Sequence, residues 1–126
     1  MMLVRCRPGP SQIEGIGVFA SEPVAAGQPV WRLDPELDRI LPVGAVAART
    51  PAGREFLDRY AYFDDSRSAL VLCCDDARFM NHSFTPNVSD VRKDVCVAMR
   101  DIAAGEEFTC NYHQLDPRPM RFEPRT

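Results

Sequence analysis

Arg78-Phe79-Met80-Asn81-His82-Ser83-Phe84-Thr85-Pro86-Asn87 crowds polar side chains between apolar ones. Phe79, Met80 and Phe84 can anchor the stretch against a core. Asn81 and His82 are then partly buried, where each must be hydrogen-bonded or bind something. Taken alone, His82 reads first as a core histidine with its bonds satisfied.

Two other clusters flank this stretch. Downstream, Gly105-Glu106-Glu107-Phe108-Thr109-Cys110-Asn111-Tyr112 reads as a turn and a strand, and the period of two puts Phe108, Cys110 and Tyr112 on one face. By itself Tyr112 reads as a half-buried packing residue. Upstream, Gly15-Ile16-Gly17-Val18-Phe19-Ala20 leads into a strand, and its glycines let backbone approach a ligand closely. No strand-turn-helix unit with a third glycine follows, so this is not a dinucleotide fingerprint. Glu22 to Val30 and Arg100 to Phe108 resemble each other around Ala-Ala-Gly, as one device used twice or as a turn grammar used independently.

The remaining punctuation is Gly, Pro and Asp between short apolar runs at Leu3 to Cys6, Gly17 to Ala20, Pro29 to Leu33, Ala69 to Cys74, Val95 to Met99 and Glu107 to Tyr112. These read as strands. One helix is expected from Thr50 as N-cap and Pro51 at the first helical position, with Phe56, Leu57 and Tyr60 at helical spacing to about Tyr62. A chain of 126 residues, 45% hydrophobic and 26% charged, is expected to be one globular domain.

The net charge of −3 argues against a partner bound through phosphates and favours a basic one, to which Asp64-Asp65 and Asp75-Asp76 could contribute unless they are merely solvated loop edges. No run approaches the ~18 apolar residues of a membrane span, and Arg5, Arg7 and two prolines in the first ten positions do not suit a signal peptide. An intracellular protein with reduced thiols is expected, since the five cysteines include no C-x-x-C pair, and no metal site is expected.

Taken in order, Gly15 to Ala20, Arg78 to Ser83 and Gly105 to Tyr112 resemble the three signature segments of SET domains, and the likeness spans nearly the whole chain. It implies a mainly β fold of small curved sheets with a C-terminal pseudoknot and a short helical insert. Residues 1–126 would be a single SET domain: 1–30 the N-terminal part, 31–70 the variable insert, 71–112 the part carrying the motifs, 113–126 a short lid. The function implied is methyl transfer from S-adenosylmethionine to a lysine of a protein substrate. Gly15, Gly17, Asn81 and His82 would bind the cofactor and Phe122 would cover its adenine. Tyr112 would be catalytic, with Cys110, Phe79 and Phe84 along the lysine channel. Partners would be a protein with an accessible lysine and, to complete the groove, a second copy of the chain, with neither nucleic acid nor membrane. The location would be the cytoplasm of a bacterium, or the nucleus of a eukaryote.

The chain departs from the family pattern at Asn111, where Asp is common, and at Cys110, where a bulky ring commonly limits how many methyl groups fit. Two rival readings remain: a non-catalytic SET-like peptide-binding module, and a thiol hydrolase using Cys73 or Cys74 with His82 or His113.

Overall fold

The computed structural model describes residues 1–91 and 94–120. Among them are ten short strands, two α-helices and two single 3-10 turns, the strands arranged as small sheets in accord with the mainly β expectation. Strands β1 (Cys6–Pro10) and β2 (Ile16–Ala20) form an antiparallel ribbon with Cys6 opposite Ala20 and Pro10 opposite Ile16. The sequence reading starts the first strand at Leu3. The structure starts it later and carries it across Pro8 and Pro10, which a ribbon edge tolerates because no ladder bond is lost there.

A second sheet places β9 (Val95–Ala98) between β3 (Pro29–Arg32) and β8 (Val88–Ser89). The core gathers around it from Val18, Val24, Val30, Val88, Ile102 and Phe108, each at most 1% exposed. Most are β-branched, which suits a pleated surface. The two Ala-Ala-Gly turns face each other here. Val24 and Ile102 exchange both backbone bonds at 2.8 Å, while Gly27 N donates to Ala98 O and Gly105 N to Ala20 O, both at 2.7 Å. Gly27 and Gly105 sit at φ +81° and +88°, where glycine is at no disadvantage. The same bonds recur in both copies, so one local device is used twice and each copy buries the other's apolar residue.

The insert has its own sheet, in which β6 (Ala69–Leu72) lies between β4 (Arg39–Leu41) and β5 (Tyr62–Asp64). Strand β6 straddles the expected boundary at residue 70, as β3 straddles the one at 30. Helix α1 (Pro51–Tyr60) begins as expected, with the Thr50 hydroxyl accepting from Gly53 N, but stops two residues early. Of its apolar stripe only Leu57 reaches the insert core, beside Ala61 and Leu70. Phe56 and Tyr60 turn away and pack on each other, ring centroids 5.1 Å apart.

Asp64 is fully buried and accepts from Ser66 and Arg67, and Asp75 accepts from Met2 N and Ala77 N, so half of each acidic pair is committed inside the protein. Burial by itself would raise the Asp64 pKa, but the bonds from Ser66 and Arg67 outweigh it and hold the carboxyl below its ordinary range. Asp116, which accepts from Phe63 N and from Arg118, is lowered in the same way. Groups depressed by folding stabilise fully above their unfolded pKa and lose that contribution as pH falls through the folded one. Denaturant midpoints should therefore fall as pH drops below about 4, with a shallower fall in Asp64→Asn; an acid slope unchanged in that variant would remove Asp64 as a source.

Near the chain end, β10 (Thr109–Cys110) pairs in parallel with β7 (Asn81–His82). On its other flank Phe108 N donates to Val18 O at 2.8 Å. The strand thus passes between β2 and the 81–90 segment, as the pseudoknot requires. It does not continue to Tyr112. The Asn111 side chain accepts from His113 N at 3.0 Å and starts helix α2 (Tyr112–Leu115), a role for which asparagine is well suited. Phe108, Thr109 and Cys110 are all buried rather than alternating, because protein covers both faces. Among the described residues, no helix is long and apolar enough to cross a membrane.

Candidate active site

Two cavities meet behind the pseudoknot. The larger, about 500 Å³, is lined by Trp31, Tyr62, Cys73, Asp90, Cys96 and Cys110 among others. The smaller, about 240 Å³, is lined by Glu14, Gly15, Ile16, Phe79 and Asn81. Arg59, Tyr60, Arg78 and Tyr112 line both and form the wall between them.

Tyr112 is held at both ends by the segment Arg78 to Asn87. Its hydroxyl donates to Met80 O at 2.7 Å and its backbone N–H donates to His82 Nδ1 at 3.1 Å. Burial pushes the phenol pKa up, and Cys110, Glu14 and Glu107 add to that against a smaller opposing effect of Arg59. At neutral pH Tyr112 is therefore a phenol whose oxygen still has lone pairs to offer.

The two motif glycines serve different ends. Gly15, at φ +49°, borders the smaller cavity and has open space where a side chain would stand. Gly17 lines neither cavity, and a Cβ there would run into the Glu107 carboxylate. That carboxylate accepts from Ser11 Oγ and Asn81 Nδ2, both at 2.9 Å, and the same Asn81 amide reaches Glu14 O and Ile16 O. Gly17→Ala should displace this junction and lower stability by about 1–3 kcal/mol, measurable by chemical denaturation. A loss below a few tenths would mean that Glu107 swings aside freely.

His82 is 1% exposed and borders neither cavity. Its Nε2 has no partner among the described residues, and its ring meets Phe84 edge-on at 4.5 Å. Burial, helped by His113, lowers its pKa, so it is neutral and serves Tyr112 as an acceptor. Phe84, expected along the channel, is 64% exposed and stacks on His113 outside both cavities. Phe79 borders the smaller cavity rather than the larger, and packs edge-on against Tyr60 at 5.7 Å. Cys110 lines the larger cavity. Phe122 lies outside the described residues.

Tyr60, Asp90, Trp31 and Asn87 escaped the sequence reading as site residues. Tyr60 sat in an apolar helical stripe, where period alone cannot tell a cavity wall from a core contact. Asn87 ends the segment that begins at Arg78. It is 2% exposed and clamps the threaded strand by giving Nδ2 to Glu107 O and accepting from Thr109 N, both at 2.8 Å. The thiols argue against the hydrolase reading. Burial and the nearby Asp38 push Cys73 up to about 12, and Cys74, Cys96 and Cys110 are raised too, the reverse of an activated nucleophile.

Residues 15–113 match the sequence profile described as the SET domain. No curated protein sequence matches the chain. Among solved structures it is similar to a humanized mutant of the Chaetomium thermophilum Polycomb Repressive Complex 2 bound to an inhibitor, at 22% identity and TM-score 0.63, over 91% of this chain but 16% of that one. It is similar to a candidate histone methyltransferase of Plasmodium falciparum, at 18% identity and TM-score 0.60, over 88% of this chain and 95% of that one. The Neurospora SET domain protein DIM-5, a histone lysine methyltransferase, is 23% identical with TM-score 0.57, over 88% and 53% of the two chains. Likeness at these identities speaks for the fold.

Proposed function

The chain belongs to the SET-domain family, and from that premise we propose that it transfers a methyl group from S-adenosylmethionine to a lysine side chain of a protein. The observation that carries this reading is Tyr112 in the wall common to two cavities, its hydroxyl anchored at 2.7 Å on Met80 O. The smaller cavity suits the methionine and sulfonium end of the cofactor. Gly15 leaves room for close approach and the Tyr60 and Phe79 rings favour a positive charge, while the Glu14 carboxylate is paired with Arg59 at 3.1 Å and Arg78 lines the same space. Its 240 Å³ leaves the purine to extend beyond it. When bound, the cofactor supplies an electrophilic methyl on a positively charged sulfur.

The larger cavity would take the amine. Free lysine has a pKa of ~10.4; desolvation among the rings and thiols and the positive charges of Arg59, Arg78 and the cofactor's sulfur disfavour its charged form, against the carboxylates of Asp58, Asp90 and Asp116 on the same lining, and together they favour the neutral nucleophile without a strong base. The Tyr112 proton is committed to Met80 O, leaving the phenol oxygen to accept an N–H and orient the amine toward the shared wall. Holding reactants near attack geometry can contribute ~7–11 kcal/mol. The test is calorimetry with S-adenosylhomocysteine together with transfer of labelled methyl into a lysate, followed by identification of the modified residue. Binding plus labelled lysine is expected; binding without transfer would favour a peptide-binding module, and neither would end the proposal.

Cys110 bears on product. It is 4% exposed and lines a cavity with space for a larger side chain. The parent is expected to add two or three methyl groups, and Cys110→Tyr to stop mainly at one, read by mass spectrometry over time. A parent that stops at one with excess cofactor would mean that another side chain closes the space.

A further inference from the structure

His82 carries a buried donor that no oxygen or nitrogen receives. Its Nδ1 accepts the Tyr112 backbone N–H at 3.1 Å, and burial keeps the imidazole neutral, so the one ring proton sits on Nε2. That atom is buried without a polar partner among the described residues. A buried N–H left unmet costs free energy, and here the cost falls on the tautomer that Tyr112 requires. The other tautomer would put a proton on Nδ1, facing the Tyr112 N–H. What surrounds the ring is aromatic. Phe84 stands perpendicular to it, with 89° between planes and 4.5 Å between centroids, and His113, parallel to Phe84 within 9°, is perpendicular to it too at 5.4 Å. A centroid distance of 4.5 Å is the short limit for perpendicular rings. An imidazole reaches less far from its own centre than a phenyl ring does, so at that distance the imidazole edge meets the phenyl face. That face is the negative side of the ring and accepts an N–H weakly.

We propose that His82 donates Nε2–H to the face of the Phe84 ring, and that Phe84 is thereby a positioning residue acting on Tyr112 through His82. The contacts run from an exposed ring to the wall between the cavities. Phe84 fixes the tautomer, the tautomer leaves Nδ1 free to accept, and Nδ1 holds the backbone of Tyr112. Phe84 is 64% exposed and borders neither cavity, so removing its ring takes little from the core and nothing from the lining; the loss is felt by His82. The consequence for turnover rests on Tyr112 as the group that orients the amine.

Nitrogen NMR of the isotope-labelled parent protein tests the contact directly. Expected are a protonated Nε2, an unprotonated Nδ1, and an Nε2-bound proton moved upfield by the ring current of Phe84. A proton on Nδ1, or an Nε2 proton at its ordinary shift, overturns the proposal, and this spectrum decides even if a variant fails to fold. In Phe84→Leu the upfield shift should vanish and the Tyr112 amide should exchange with solvent about threefold faster. Phe84→Tyr keeps a ring face and should restore both. Turnover, read as labelled methyl transferred into a lysate, should fall about threefold in Phe84→Leu with S-adenosylhomocysteine affinity unchanged, and recover in Phe84→Tyr. An unchanged Tyr112 amide, or equal turnover of Phe84→Leu and an active parent, overturns the positioning role. A proton on Nδ1 in a protein that methylates defeats this inference alone, whereas the expected spectrum and amide response with neither cofactor binding nor transfer defeat the methyltransferase reading and leave Phe84 holding Tyr112 through His82.

Discussion

Tyr112→Phe is expected to lower turnover about tenfold or more, roughly 1.4 kcal/mol of barrier, with S-adenosylhomocysteine affinity almost unchanged. The substitution removes one oxygen. The ring stays beside His82, the backbone N–H stays on His82 Nδ1, and the smaller cavity keeps Gly15, Phe79 and Asn81. What is lost is the bond to Met80 O and the acceptor that would orient the amine. The first loss bears on stability at about 1 kcal/mol, and the second bears only on rate. Turnover, calorimetry and a denaturant midpoint on the same preparation separate them. A large fall in midpoint with rate nearly kept would make Tyr112 a packing residue, and full activity would remove its hydroxyl from the mechanism.

The largest effect on folding is expected at a residue that touches neither cavity. Asn87→Asp should destabilise by about 3–5 kcal/mol at neutral pH. The Asn87 amide gives Nδ2 to Glu107 O at 2.8 Å, lies 3.4 Å from a Glu106 carboxylate oxygen, and receives Thr109 N on Oδ1 at 2.8 Å. An aspartate keeps the acceptor but turns the donor into an oxygen facing a carbonyl and a carboxylate. The new group would be a buried charge facing acceptors. Protonation relieves that repulsion, so the gap between variant and parent should narrow toward acid pH. Equal midpoints across the range would mean that the threaded strand is held by β2 and β7 without Asn87.

How far the chain could be read in advance divides along physical lines. Thr50 as cap, Pro51 behind it, and Gly27 and Gly105 at positive φ were legible because each depends on a few neighbouring residues. Asn111 was also local, yet the period-two reading ran through it, since alternation along a strand takes no account of a side chain that caps the next turn. The stripe on α1 failed differently. Helical spacing states which residues share a face, not what that face meets, and Phe56 and Tyr60 met the motif segment where Leu57 met the insert core.

By itself the sequence determined the family, the mainly β character, and the three segments that converge on Tyr112, because residue order and local stereochemistry carry those. Only the tertiary structure decided which side chains border a cavity. Gly17 and His82 turned to protein atoms, Phe84 turned outward, and Asp90, Trp31, Cys73 and Cys96 gathered from separate strands and loops around one space. The parallel pairing of β7 with β10 joins positions far apart in the chain, and a cavity is what such long-range pairings leave unfilled.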